Sequence, residues 1–148
     1  MKTKYIIIML MLFYSNIFSQ ECKNYAQHKQ KIEAEKVAYI TEKLNFSVEE
    51  AQKFWTVYNQ LEDKKEQFHK QKRALQLQYS QKSKELSDTE IEKIIDNLMQ
   101  INLKIEELKI EYHNQFKKII GVKKAAQLYN FEIEFRKTLL RNLNHKTK

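Results

Sequence analysis

Residues 87–119 read SDTEIEKIIDNLMQINLKIEELKIEYHNQFKKI, and the pattern in them decides the fold. Ile91, Ile94, Leu98, Ile101, Ile105, Leu108 and Tyr112 recur at alternating steps of three and four. Three heptads of this kind put a narrow apolar seam along one side of a helix, which must be covered by a second helix. Phe116 and Ile119 continue the seam after a one-residue slip. At the start, the Ser87 hydroxyl can accept from the backbone N–H of Glu90, while the Glu90 carboxylate reaches back to the N–H of Ser87. The spacing predicts a helix from Ser87 to about Ile119.

The same start signal stands upstream in Leu44-Asn45-Phe46-Ser47-Val48-Glu49-Glu50. Ser47 and Glu50 form the reciprocal pair, and Phe46 lies just outside, placed to pack on Ala51. The helix that follows is expected from Val48 to about Leu86. Ala51, Phe54, Trp55, Tyr58 and Leu61 supply its apolar positions, then more sparsely Phe68, Leu75 and Tyr79. A helix this long needs lateral support. The short link around Ser87 returns the chain antiparallel, so the two helices make a hairpin. Residues 64–84 carry seven bases against Glu66, a balance of +6, and residues 88–111 carry seven acids against three lysines, a balance of −4. Antiparallel packing lays these stretches side by side, and the sum of their weak attractions favours that register.

Two shorter helices flank the hairpin. Residues 24–44 form the first, with Ile32, Val37, Ile40 and Leu44 apolar. Gly121 ends the seam helix where a left-handed residue is wanted. A last helix is expected over about Val122 to Leu143, with Val122, Ala126, Tyr129, Ile133, Leu140 and Leu143 marking one face. Ala125, Leu128, Phe135 and Leu139 widen it. Residues 144–148 close the chain as a basic tail. Composition agrees with an all-α protein: 148 residues hold no proline and one glycine, too few turn formers for a sheet protein of this size.

The first nineteen residues are a separate device. Lys2 and Lys4 precede the uncharged run YIIIMLMLFY (Tyr5 to Tyr14), and Ser15 to Ser19 give a polar exit. This is the layout of an export signal cut after Ser19, and its ten core residues are too few to span a bilayer. Residues 20–143 then form one domain in an extracytoplasmic compartment. Removing Lys2 and Lys4 lowers the formal charge from +8 to +6. Outside the cytosol, a basic balance points to acidic polypeptides, anionic lipid or polysaccharide rather than nucleic acid. Cys22 is the only cysteine, so no intramolecular disulfide forms; a free N-terminal thiol and a link between two chains both stay open.

Catalytic signatures are missing from the sequence. No glycine-rich phosphate loop occurs, and no serine or cysteine has an evident base, so neither an enzyme nor a cofactor is expected. His28, His69, His113 and His145 do not stand at ligand spacing, so no metal site is expected. Phe54, Trp55 and Tyr58 read as a core layer rather than a contact surface. The residues expected to meet a client or partner are Phe68, Lys72, Arg73, Leu75 and Tyr79, where the second helix is basic and thinly apolar.

With these boundaries the chain resembles the Spy/CpxP family of small periplasmic stress proteins, whose signature is an LTxxQ motif present twice. Phe46-Ser47-Val48-Glu49-Glu50 holds the place of the first copy with conservative changes. Ile120-Gly121-Val122-Lys123-Lys124 holds that of the second, without the hydroxyl or the glutamine. The runs EEAQKFWTVYNQ (Glu49 to Gln60) and KKAAQLY (Lys123 to Tyr129) are similar to a branch described as sensors of extracytoplasmic-function sigma factors or periplasmic heavy-metal sensors. The resemblance implies a four-helix, cradle-shaped protomer, usually a homodimer, with an amphiphilic concave face for unfolded clients. It also implies the alternative, a regulatory partner of a sigma or anti-sigma system.

Overall fold

The computed structural model describes residues 27–146. The export segment at residues 1–19, the cut after Ser19, Cys22 and the last two tail positions, Thr147 and Lys148, lie outside the described residues. Three helical segments follow one another: α1 over 27–43, α2 over Val48–Lys82 and α3 over Asp88–Lys146. The protein is all-α.

Local signals start α2 and α3 where the sequence places them. Glu50 donates its backbone N–H to the Ser47 hydroxyl at 3.1 Å, and Ser47 donates its own N–H to the Glu50 carboxylate at 2.8 Å. Ser87 and Glu90 repeat the exchange. Asn45, in the left-handed region at φ 45°, turns the chain out of α1. Phe46 closes the entry by packing its ring on Phe54, with centroids 5.0 Å apart.

The 35 residues of α2 span about 52 Å. Contacts across to α3 run in opposite senses along the two chains. Phe54 and Tyr58 meet Phe116, Lys64 lies over the Tyr112 ring, and Lys72 bonds Asn102. That progression is antiparallel pairing. On α3 the seam is buried at Ile94, Ile101, Ile105, Leu108, Tyr112 and Phe116. After Phe116 the buried position passes to Ile120, with Ile119 half-buried, so the slip shifts the seam one residue further than expected.

The opposed charges do not meet as ion pairs. Among the described residues the ion pairs these two stretches make are local, as in Glu62 with Lys65 and Glu66 with Arg73 on α2, and Glu106 with Lys109 on α3. The one polar bond across the distal hairpin is Lys72 to Asn102 at 2.9 Å. The acids of α3 lie off the seam, so the +6 and −4 stretches act on each other only as fields.

The break at Gly121 builds the rest of the fold. Its φ of 77° and ψ of 161° lie in an extended positive-φ region open essentially to glycine alone, not in the left-handed helix cap expected from the sequence. In a straight helix His113 and Tyr129 would stand about 24 Å apart. Instead they share a hydrogen bond 2.8 Å long. The stretch beyond Gly121, called here the arm, therefore folds back onto the other helices. Tyr39 of α1 stacks near Phe135, and Tyr58 of α2 donates to Glu132. One cluster results, joining Ile40, Leu44, Phe54, Tyr58, Leu61, Tyr112, Phe116, Ala125 and Leu128.

Two sequence expectations are corrected on the arm. Its buried line is Ala125 and Leu128 with half-buried Phe131, Phe135 and Leu139, while Val122, Ala126, Tyr129, Ile133 and Leu140 face outward. The face marked first from the sequence is the exposed one, because the fold-back at Gly121 turns the other line toward α1 and α2. Helix also continues to Lys146, past the end expected at about Leu143.

Candidate functional site

The two motif positions come together. Lys124, fifth residue of the degenerate second motif, reaches the Glu50 carboxylate at 2.7 and 2.9 Å and the Asn45 carbonyl oxygen at 3.1 Å. Its ammonium also lies over the Phe46 ring. Glu50 thus bonds its own helix start and the arm at once. The Lys124 bond, then the Ser47 backbone N–H, holds the Glu50 carboxyl below the usual carboxylate range. Lost hydroxyl and glutamine in the second motif are replaced by a lysine complementary to the first.

Phe54, Trp55 and Tyr58 form the core layer expected of them. Phe54 is fully buried between Phe46, Trp55, Tyr58 and Phe116. The Trp55 indole N–H is anchored on the Thr41 hydroxyl at 2.9 Å. Tyr58 donates to Glu132 and lies beneath Lys36. Burial first, and the Glu132 charge second, push the Tyr58 phenol far above its ordinary value, so it stays neutral.

The five residues expected to contact a client divide. Phe68, Lys72 and Leu75 are half-buried against α3, and Lys72 is held by Asn102. Arg73 is exposed and paired with Glu66 at 2.7 Å, and Tyr79 is exposed near the tip. Only those last two present themselves outward.

A longer exposed line escaped the sequence reading. Ile95, Met99, Leu103 and Ile110 are 47–64% exposed on α3. At about 100° per residue they fall within an arc of about 80°, centred roughly 135° from the seam and so on the side of α3 turned away from α2. Steps of four, four and seven were the available signal, masked by the stronger alternation beside them. Glu92, Glu106 and Asp96 lie in or beside the line, and exposed Leu77 adds apolar area on α2. Exposed apolar side chains repeated along one side of a helical rod, with acids among them, mark an interaction surface.

Where α2, α3 and the arm converge, a cleft of about 250 Å³ opens, lined by Tyr58, Lys65, Lys109, Tyr129, Glu132 and Arg136 among others. His113, opposite Leu61 in the hairpin register, spends its ring nitrogen on Tyr129. Among the described residues, no three His, Cys, Asp or Glu side chains converge as a metal-holding group. No helix among them is long and apolar enough to cross a membrane.

No family model matches the chain, and no curated protein or solved structure matches it either.

Proposed function

We propose that this chain is an exported, ATP-independent holdase of the Spy/CpxP type, acting in the periplasm on unfolded polypeptides. The observation that carries the reading is the exposed line Ile95, Met99, Leu103 and Ile110 on α3, with Glu92, Asp96 and Glu106 among and beside them. An unfolded chain offers short apolar segments and charges of both signs. A rod that presents apolar side chains at several of its turns, with charges among and beside them, masks such segments weakly and releases them without nucleotide. The role needs a surface and no reaction centre. In a homodimer the surface would be doubled.

Light scattering of a chemically denatured client, diluted with and without equimolar protein, tests the proposal. Suppressed aggregation supports it, and an unchanged trace contradicts it. The similarity of Glu49 to Gln60 and Lys123 to Tyr129 to the sensor branch favours a second reading, a regulatory partner of an extracytoplasmic-function sigma or anti-sigma system. Gene deletion separates the two: an altered envelope-stress regulon with unchanged protein aggregation selects signalling.

A further inference from the structure

The arm beyond Gly121 carries a second apolar line that the holdase reading does not use. Val122, Tyr129, Ile133 and Leu140 are 41–68% exposed, with exposed Ala126 among them. At about 100° per residue they fall within about 60°, a strip close to 27 Å long. Bases dominate its borders. Arg136 lies on one side, with Lys123, Lys137 and Arg141 on the other, and all four are exposed.

Both acids of the arm are occupied elsewhere. Glu132 accepts from Tyr58 on α2, and Glu134 accepts from Tyr39 on α1 at 3.1 Å. Lys124, the cation that faces inward, is neutralised by Glu50. What remains outward is a narrow apolar strip with three bases, Lys123, Lys137 and Arg141, along one side and Arg136, which also lines the cleft beside Tyr58, on the other. We propose that this face of the arm docks on an anionic lipid bilayer, lying along its surface with the strip at the headgroup level.

Geometry and charge favour lipid over an acidic protein. The strip runs along one helix, with Tyr129, Ile133 and Arg136 at the lip of the cleft shared with α2 and α3, so a protein partner would need a matching groove, whereas a bilayer admits a shallow wedge without one. Helices of this kind bind through buried apolar area plus attraction of Lys and Arg to anionic headgroups. The proposal stands apart from the holdase surface, which lies on the other arm of α3.

Vesicle co-sedimentation tests it, using the processed chain from Gln20 and vesicles of equal parts phosphatidylglycerol and phosphatidylcholine. Binding is expected at low salt, weakened about tenfold on pure phosphatidylcholine and strongly reduced at about 0.5 M salt. The Ile133→Asp, Leu140→Asp double variant should lose about tenfold in binding, with an unchanged circular dichroism spectrum and melting point, because both positions are exposed. Absence of binding to the anionic vesicles overturns the proposal. So does wild-type binding by the double variant, which would assign attachment to net charge alone. Capture of polyglutamate in place of vesicles would assign the face to acidic polypeptides and overturns it equally. Client suppression by the same double variant is expected to stay intact, so failure here leaves the holdase reading standing.

Discussion

Glu50 does three jobs with one carboxylate: it closes its helix start, receives Lys124, and thereby ties the arm to the entrance of α2. A carboxyl whose folded-state value is depressed stabilises the fold above its unfolded value, 4.5 here, and that contribution disappears as pH falls through the folded value. Lys124→Met should therefore lower the urea midpoint at pH 7, and the gap from the native chain should close by about pH 3. A gap that stays constant with pH would contradict the pairing. Tyr58 gives the opposite sign. Its folded value is raised by burial and by Glu132, so its contribution is complete below the unfolded value near 10 and declines as pH rises beyond it. Tyr58→Phe should cost about 1–2 kcal/mol at pH 7 through the lost bond to Glu132. It should also flatten the fall in stability between about pH 9 and 11, read from denaturation midpoints. Ser47 with Glu50 and Ser87 with Glu90 were legible in the sequence, because a capping pair is written within four residues. Lys124 was not, since its partner stands 74 residues away and only the fold-back brings them together.

Helix starts and the seam were readable because they are local or periodic, but the direction taken after Gly121 was not. A lone glycine announces a break without stating its angle. The arm's two apolar lines are each consistent with helical period, and only the observed backbone at φ 77° and ψ 161° decides which one is buried. An alanine Cβ at this position would meet nothing within 4 Å, so the cost of Gly121→Ala is backbone conformation alone. That cost should be about 1–3 kcal/mol in urea denaturation. A variant as stable as the native chain would show that the arm can leave the core freely. The seam and the outward line of α3 should also separate in energy. Ile101→Ala removes buried methyl groups and should cost about 2–4 kcal/mol, while Met99→Ala, exposed on nearly the opposite side of the helix, should change stability by less than about 0.5 kcal/mol.

For the whole molecule, the +6 and −4 stretches show what composition can and cannot say. Their signs are complementary, yet the hairpin is held by the seam and by Lys72 with Asn102 rather than by ion pairs between the two stretches. The expected contact residues were drawn from the helix with fewer apolar side chains, on the view that a thin core leaves area free. Half-burial of Phe68, Lys72 and Leu75 reflects the reverse: sparse apolar positions on α2 are the ones α3 uses. Surface then falls to the richer helix, which has apolar residues in excess of its seam. The central claim is that this excess line on α3 is where an unfolded polypeptide lands. Its most direct test places a photoreactive amino acid at Met99, on the line, or at Lys104, on the opposite side of the helix, and illuminates each with a denatured client. The account predicts covalent client adducts at position 99 and few at position 104; equal adducts at both, or none at 99, would contradict it.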